Sequence, residues 1–396
     1  MTAVLPMTNP VRPYAWGSRV AIAALQGRAP AAEPEAELWM GAHPAAPSVL
    51  ATPGGPVPLG ELVAADPAGT LGAAALAEFG PRLPYLLKVL AADEPLSLQV
   101  HPAPEQAAEG YAREDAAGIP LEAADRNYRD PYAKPELICA LEPFEALSGF
   151  QEPARSAARL AGLGVPALGP AVELLAAGRL HAVVSELLTL PAAERAPLVA
   201  DVTAACARDA ELAWAAGLAG HYPGDPGVVI ALLMHRVRLA PGEAMYVPAG
   251  QPHSYLSGTG VEIMGASDNV LRGGLTGKHI DVPELLRILS PEASEPALVH
   301  ARDTGSEEVY DTPAREFRLS RIPLDGPVTL PAAGPQILLS VAGEVSVRRA
   351  GGQGEGTTEH RVPPGNSVFV PASAGPLELS GEGTLFRAAT GGGERA

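Results

Sequence analysis

The sequence predicts a mainly β fold interrupted by a helical insertion. Short apolar runs broken by glycine and proline turns fill residues 1–150 and 222–396, a pattern typical of strands. Residues 151–221 instead carry apolar side chains at helical spacing in an alanine- and leucine-rich background. The length of 396 residues allows more than one core. We therefore expect one β domain from residues 1–150 and 222–300, a helical insertion domain of 151–221, and a second β domain of 301–396.

Local composition predicts the individual elements in chain order. Apolar runs predict buried strands, whereas alanine-rich polar stretches and helical spacing predict helices. The expected elements are short helices in 57–80, a buried strand at 85–90, an alternating strand at 96–102, a helix in 104–127, a strand at 134–141, several helices in 151–221, strands in 228–256, a short helix at 282–290 and short strands in 305–396.

Composition excludes several classes of partner. The net charge of −17 argues against nucleic acid and anionic membranes, because both require a basic surface. Cys139 and Cys206 lie far apart and lack the spacing of a disulfide framework, which favours reduced thiols in the cytoplasm. We recognise no signal peptide or membrane span, since charges or prolines interrupt every apolar run before 18 residues. We expect a cytoplasmic monomer that acts on a small molecule.

Lysine is rare in this chain. Only three of the 28 basic side chains are lysine, namely Lys88, Lys134 and Lys278, and the rest are arginine. A lysine ammonium is compact and can lose its proton, whereas a guanidinium does not. The three lysines are therefore candidates for sites that need a titratable cation, although chance retention explains them as well.

Possible metal ligands occur in three separate segments. Around residue 100 the sequence LSLQVHP alternates, so Gln99 and His101 share one face of a strand. Glu136 begins a second apolar run, and Lys134 lies two residues before it on the same face. His253 follows a turn shaped by proline and glycine. Two imidazoles, a carboxylate and an amide oxygen suit a borderline cation such as zinc.

The segment around His253 resembles a known motif. Gly242, Pro248, Gly250 and His253 have the spacing G-x5-P-x-G-x2-H, which is similar to the second cupin motif. The first cupin motif supplies His-x-His and a downstream glutamate, and Gln99, His101 and Glu136 would take those places. The resemblance implies jelly-roll cupin domains: a metal-binding catalytic one and a C-terminal cupin-like one.

Several longer stretches resemble one cupin family, the type I mannose-6-phosphate isomerases. They are YAWGS, ELWMGAHPAAPS, LLKVLAADEPLSLQVHP, YRDPYAKPELICAL, PAGQPHSYLSGTGVEIMGASDNVLRGGLTGK and DTPAREF. The resemblance covers nearly the whole chain. One departure stands out: the family signature has Asn-His before Lys-Pro-Glu, and this chain has Tyr132-Ala133. A role in proton handling has been suggested for that histidine, so here the role is either absent or moved to another residue or to water.

The resemblance implies reversible isomerisation of mannose 6-phosphate and fructose 6-phosphate through an enediol(ate), with one zinc ion per chain. The implied metal ligands are Gln99, His101, Glu136 and His253, and the implied catalytic arginine is Arg272. Pocket positions of the family correspond to Trp16, Ser97, Lys134, Tyr255, Glu262, Asp268 and Lys278.

Chemistry suggests roles for these residues. Isomerisation needs a group that moves a proton between C2 and C1, for which Lys134, Glu262 and Asp268 are candidates. The guanidinium of Arg272 could stabilise the enediolate without losing its own proton. Ser97, Lys88 and Lys278 are candidates for binding the phosphate, although Lys88 lies on an apolar strand where a structural role is equally expected. The structural alternative for Glu262 and Asp268 is that they form ion pairs with Arg272 or Lys278.

Two other functions are compatible with the sequence. A cupin oxidoreductase would bind iron through two histidines and a carboxylate, but it needs neither the neutral Gln99 nor a group of cations. A non-catalytic sugar-binding cupin is suggested by Tyr132-Ala133. Metal analysis with an oxygen-uptake assay separates the first from an isomerase, and a turnover assay on mannose 6-phosphate separates the second.

Overall fold

The computed structural model describes residues 4–290, 292–351 and 359–391. Strands are the main regular structure outside the helical segment, and they pair antiparallel. The strands are β1 (Leu5–Thr8), β2 (Val11–Arg12), β3 (Glu37–Met40), β4 (Val49–Thr52), β5 (Gly55–Pro58), β6 (Tyr85–Ala92), β7 (Gln99–Val100), β8 (Glu136–Ala140), β9 (Phe144–Phe150), β10 (Met234–Leu239), β11 (Ala244–Val247), β12 (His253–Gly265), β13 (Leu271–Arg272), β14 (Ala297–Val299), β15 (Ala301–Asp303), β16 (Glu308–Tyr310), β17 (Arg318–Leu324), β18 (Val328–Leu330), β19 (Gln336–Arg349), β20 (His360–Val362), β21 (Ser367–Val370) and β22 (Leu377–Ala389).

Helices concentrate between β9 and β10, as the helical spacing of that segment predicts. Two short 3-10 helices, Pro166–Leu168 and Ala372–Ala374, accompany the α-helices. The α-helices are α1 (Ala21–Leu25), α2 (Leu59–Ala65), α3 (Pro67–Phe79), α4 (Pro104–Ala116), α5 (Pro153–Gly162), α6 (Gly169–Ala176), α7 (Leu180–Thr189), α8 (Ala192–Cys206), α9 (Ala213–His221), α10 (Gly227–Ala231) and α11 (Val282–Ile288).

The strands form two large sheets. In the first, which we name the site sheet, the order is β14-β11-β8-β12-β6-β3-β2, and β7, β9, β10 and β13 are attached beside β12. The second, which we name the C-terminal sheet, has the order β15-β16-β17-β22-β19-β21-β1-β4-β5, with β18 on β22 and β20 on β19. The prediction of a mainly β protein with helices between its strands is confirmed.

The two sheets do not follow the predicted domain boundaries. Strands β1, β4 and β5 come from the first 60 residues, but β1 pairs with β21 and thereby extends the C-terminal sheet. A buried cluster of side chains from both sheets, including Leu38, Leu87, Leu319 and Ile337, packs between them. The division into domains at residue 300 stays a prediction, and the sheet pairing crosses it.

One sequence prediction for the segment 228–256 is wrong. Its first apolar residues were expected to be a strand, but Gly227–Ala231 is the short helix α10. Asp225 accepts the backbone N–H of Gly227 at 2.7 Å and so supports the start of the turn. A short buried apolar run has no periodicity that separates strand from helix.

The helical segment, residues 151–221, packs against two short strands of the site sheet. Its buried apolar residues form one cluster with Leu98 and Val100 beside β7 and with Leu271 and Leu275 beside β13. Strands β7 and β13 have only two residues each. Packing of apolar side chains against such short strands holds them where their own hydrogen bonds would not suffice.

No helix within the described residues is both long and apolar enough to cross a membrane.

Candidate active site

Two histidines and a carboxylate meet in the interior of the site sheet. Nε2 of His101 lies 3.2 Å from Oε1 of Glu136, and Nε2 of His253 lies 3.3 Å from Oε2 of the same carboxylate. All three side chains are buried, and their possible ligand atoms lie within 4.8 Å of one another. Two ligands on a tetrahedral zinc ion with bonds of about 2.0–2.1 Å are separated by roughly 3.3 Å. The spacing of these three residues, which we name the metal cluster, therefore fits such an ion.

Hydrogen bonds orient both imidazoles of the metal cluster. Nδ1 of His101 lies 2.8 Å from the backbone oxygen of Asn269, and Nδ1 of His253 lies 3.1 Å from that of Gln251. A carbonyl oxygen can only accept, so both rings carry a proton on Nδ1 and present the lone pair of Nε2 to Glu136. Nε2 of His101 is buried and has no hydrogen-bond partner. Burial and the nearby ammonium of Lys134 lower the pKa of His101 to about 4, which keeps the ring neutral, as a metal ligand must be.

The turn before His253 has a backbone requirement for glycine. Gly250 has φ of +77°, a conformation that other residues rarely adopt. Its N–H donates to the backbone oxygen of His101 at 2.8 Å, so the turn is docked on the segment that carries the other imidazole. The Pro-x-Gly spacing seen in the sequence thus brings the two histidines together.

Gln99 and Arg272 lie beside His253 in the sheet register. His253 in β12 pairs with Gln99 in β7, and Gln99 in turn pairs with Arg272 in β13. Residues paired across antiparallel strands point to the same face. The amide of Gln99 and the guanidinium of Arg272 are therefore on the face that carries the metal cluster.

Lys134 forms part of the same polar group. Its Nζ lies 3.0 Å from Oε1 of Glu136. Burial alone would raise the pKa of Glu136, but the charge of the adjacent Lys134 ammonium lowers it well below its usual value. The carboxylate is thus held ionised, as a metal ligand requires.

Lys88 lies between two buried carboxylates. Its Nζ is 3.3 Å from Oε1 of Glu37 and 3.2 Å from Oε2 of Glu262. Burial favours the neutral amine, but the two carboxylates raise the pKa of Lys88 above its usual value. Burial raises the pKa of Glu262, against the opposing charge of Lys88. Lys88 is thus fully engaged by protein carboxylates.

A cavity of about 590 Å³ opens beside these groups. Eight of the side chains proposed from the sequence line it; the three residues of the metal cluster do not, and neither do Glu262 and Tyr255. Both of these are buried, and burial beside the charges of Glu262 and Glu136 raises the pKa of Tyr255 well above its usual value. The eight that line the cavity are Trp16, Lys88, Ser97, Gln99, Lys134, Asp268, Arg272 and Lys278.

Three cations line another part of the cavity wall. Arg129, Arg272 and Lys278 form no ion pair with any carboxylate in the described part of the chain. Burial and the positive charge of Arg129 lower the pKa of Arg272. Burial and the positive charges of Arg272 and Arg129 lower the pKa of Lys278. The three charges, which we name the cation group, are thus close enough to repel one another. An anion in the cavity would relieve this repulsion.

The loop that carries Lys278 is held from the helical side. Gly274 has φ of +127°, and a side chain there would collide with the backbone of Gly227. Oδ2 of Asp225 accepts the N–H of Thr276 at 3.0 Å. This firm attachment keeps the Lys278 backbone at the cavity edge.

The helical segment itself does not form a wall of the cavity. None of the lining residues falls within 151–221, although Tyr222, which follows it directly, lines the cavity and donates its hydroxyl to the backbone oxygen of Pro95 at 2.6 Å. Within the described residues, the helical segment therefore packs against the strands that carry the site and does not line the cavity.

Comparison with known proteins identifies the family. Residues 4–153 match the family model described as the catalytic domain of type I phosphomannose isomerase. The chain is 38% identical over 391 residues to mannose-6-phosphate isomerase of Escherichia coli strain K12, covering 96% of this chain and 98% of that protein. The chain belongs to the type I phosphomannose isomerase family. It is also 32% identical to the human mannose-6-phosphate isomerase over 86% of this chain and 88% of the relative.

Solved structures of the family share the whole fold. A zinc-bound mannose 6-phosphate isomerase aligns with a TM-score of 0.89 at 37% identity, covering 98% of this chain and 99% of that one. A variant of the Salmonella typhimurium phosphomannose isomerase aligns with a TM-score of 0.91 at 36% identity and the same coverage. The resemblance inferred from the sequence motifs is confirmed.

The departure from the family signature lies next to the cavity. Tyr132 is 38% exposed, and the guanidinium carbon of Arg82 lies 3.5 Å from its ring centre. Ala133 is buried. The side chains at these two positions thus offer no acid or base to a phosphomannose isomerase substrate apart from the tyrosine hydroxyl.

Several cavity residues were not identified from the sequence. Arg129 and His43 lie within motif stretches, YRDPYAKPELICAL and ELWMGAHPAAPS, but their individual spacing gives no signal. The same holds for Arg12, Tyr14, Glu37, Trp39 and Thr276, which also line the cavity.

Proposed function

We propose that this chain interconverts mannose 6-phosphate and fructose 6-phosphate and that it uses one bound zinc ion. The observation that carries the proposal is a single cavity with the metal cluster beside it and an unpaired cation group on its wall. A sugar phosphate needs both: polar groups for its oxygens at C1 and C2, and cations for its phosphate. The volume of about 590 Å³ is ample for one hexose phosphate.

The donor set favours zinc. His101, Glu136 and His253 would hold the ion, with Gln99 from the neighbouring strand as the fourth ligand. A bound zinc ion supplies a Lewis acid that polarises substrate oxygens. The unpartnered Nε2 of buried His101 supports this assignment, because a buried nitrogen without a partner is costly unless a ligand or ion satisfies it.

The cation group would bind the phosphate. Arg129 and Lys278 are the best candidates, because neither is engaged by a protein carboxylate among the described residues, and Ser97 also lines the cavity. Lys88, proposed for the same role from the sequence, is held by Glu37 and Glu262 and has no charge to spare. We therefore infer that Lys88 is structural and that Arg129 takes its place.

Proton transfer would occur between the metal cluster and the cation group. A base removes the proton from C2 of the open-chain aldose, the C–H electrons form the C1–C2 double bond, and the carbonyl electron pair moves onto O1 to give the enediol(ate). The O2 hydroxyl then gives its proton to O1, the carbonyl forms at C2, and the base returns the carbon-bound proton to C1. Lys134 and Asp268 line the cavity and can hold this proton, whereas Glu262 lies behind the wall. Arg272, next to Gln99 in the register, would stabilise the enediolate oxygens.

An assay on the purified chain tests the proposal. Zinc-loaded protein with mannose 6-phosphate, coupled to detection of fructose 6-phosphate, should turn over, and protein treated with a chelator should not until zinc is restored. In D₂O, the product should carry deuterium at C1 if the proton exchanges with solvent before it is returned. Zinc-loaded protein without turnover would sink the isomerase proposal, and oxygen uptake with iron would favour the oxidoreductase.

We also propose that the chain is a cytoplasmic monomer. Cys139 and Cys206 are both buried and unpaired, which suits a reducing compartment. Sedimentation of the purified chain would test the oligomeric state, and fractionation of cells would test the location.

A further inference from the structure

His43 lies in the wall between the main cavity and a second, smaller one. The smaller cavity has a volume of about 310 Å³, and His43, Arg129 and Asp268 line both. His43 is 9% exposed, so it is enclosed by the protein. Among the described residues, it is the only histidine that lines the main cavity.

The tautomer of His43 follows from its two neighbours. Nδ1 accepts the backbone N–H of Ala45 at 3.2 Å, so the neutral ring must carry its proton on Nε2. Nε2 lies 3.1 Å from Oδ2 of Asp268. The neutral ring is therefore placed to donate its Nε2–H to this carboxylate.

The imidazole has little freedom to move. Its ring packs edge-to-face against Trp39, with ring centres 4.8 Å apart. The indole N–H of Trp39 donates to Oε2 of Glu37 at 2.7 Å, so Trp39 is itself anchored in β3. A donor on such a rigid support fixes the orientation of the group that accepts from it.

The Asp268 carboxylate depends on this donor. Its side chain is 48% exposed, and within the described residues His43 is the one side chain that contacts the carboxylate. The Asp268 backbone is held separately, because its N–H donates to Oδ2 of Asp130 at 2.8 Å. The second oxygen, Oδ1, is thus left for a ligand in the cavity.

We propose that His43 is a positioning residue for the isomerisation: its Nε2–H holds Oδ2 of Asp268 so that Oδ1 faces the sugar. This inference rests on the proposed function, because it needs a sugar phosphate in the main cavity. The chain has Ala133 rather than a histidine before Lys134. In this proposal His43, which lies on a different element, supplies an imidazole that acts through Asp268.

A set of single variants tests the role. His43→Phe keeps the packing against Trp39 and removes the donor, so kcat should fall by about 10–100-fold, while KM changes by less than about threefold. His43→Gln restores an N–H that can reach Asp268 and should recover at least about tenfold of that loss. His181→Phe is the matched control: His181 lies on α7, away from the cavity lining, and its ring hydrogen-bonds to the backbone oxygen of Leu289, so the kcat of this variant should equal that of wild type.

A double variant separates positioning from a structural role. In an Asp268→Asn background, adding His43→Phe should lower kcat no further, because the carboxylate through which His43 acts is already gone. Zinc content and thermal unfolding should match wild type in every variant used.

Each outcome decides between the hypotheses. Unchanged kcat in His43→Phe, an equal loss in His43→Gln, or full additivity with Asp268→Asn would each overturn the positioning role. A wild-type chain that does not isomerise mannose 6-phosphate would instead remove the proposed function. If His43→Phe does not fold, the Gln variant and its additivity with Asp268→Asn still test the proposal.

Discussion

The cations around the cavity fall into two groups, which differ in whether a protein carboxylate lies beside them. Lys88 and Lys134 are buried and lie within 3.3 Å of protein carboxylates. Arg129, Arg272 and Lys278 lie nearer the surface and have no such partner in the described chain. The charges of the paired cations are balanced by protein carboxylates, whereas those of the unpaired cations remain available for an anionic ligand.

The overall charge of the protein sharpens this difference. With 45 acidic and 28 basic side chains, most cations could find a carboxylate nearby. Three neighbouring cations that repel one another and have no carboxylate partner lower the stability of the fold, and proteins retain such arrangements mainly at functional sites. The comparison therefore predicts which variants lose the metal, which lose stability and which lose only substrate.

The largest effect should come from the metal cluster. His253→Ala removes one ligand and leaves Glu136 and His101 without the ion that holds them, so zinc content should fall to near zero and turnover with it. Elemental analysis of the purified variant measures the zinc. Retention of a full equivalent of zinc would take His253 out of the ligand set.

Loss of a paired cation should cost stability. Lys88→Met leaves Glu37 and Glu262 buried without their partner, and removal of one member of a buried ion pair typically costs about 3–5 kcal/mol. Burial already raises the pKa of Glu262 and the charge of Lys88 opposes that rise, so without Lys88 this pKa should rise further and the destabilisation should shrink as the pH falls and Glu262 becomes protonated. Urea unfolding at pH 5 and pH 8 measures both effects. An unchanged unfolding midpoint at pH 8 would mean that the pairs contribute nothing.

The sequence predicted the metal cluster better than the pairing of the cations around it. His101, Glu136 and His253 could be grouped because a strand alternates and a Pro-x-Gly turn aims its histidine, and both are local patterns. The Lys88–Glu262 contact depends on the pairing of β6 with β12, which brings together residues 174 positions apart. Arg129 and His43 lie in loops whose final position is set by packing. The helix at Gly227–Ala231 was missed because a buried apolar turn lacks a period.

Loss of an unpaired cation should spare both metal and fold. Arg272→Ala should lower kcat by about 10²–10³-fold, as removal of one preorganised donor to an oxyanion typically does, while zinc content and the unfolding midpoint stay unchanged. Arg272→Lys keeps the charge but not the two parallel donors, so it should recover only part of the activity. Loss of zinc in Arg272→Ala would show that the metal cluster depends on the cation group.

The smallest effect should come from the edge of the cation group. Lys278 is exposed and would share the phosphate with Arg129, so Lys278→Ala should raise KM by about tenfold with little change in kcat. Burial and the two arginines lower the pKa of Lys278 below its usual value, so its charge is present at low pH and lost as pH rises through that lowered pKa. KM of the wild type should therefore rise in the alkaline range, and Lys278→Arg, which stays charged, should flatten that rise. Initial rates from pH 7 to pH 10 measure both. An identical rise of KM in Lys278→Arg would assign the alkaline titration to another group and leave Arg129 as the main phosphate contact.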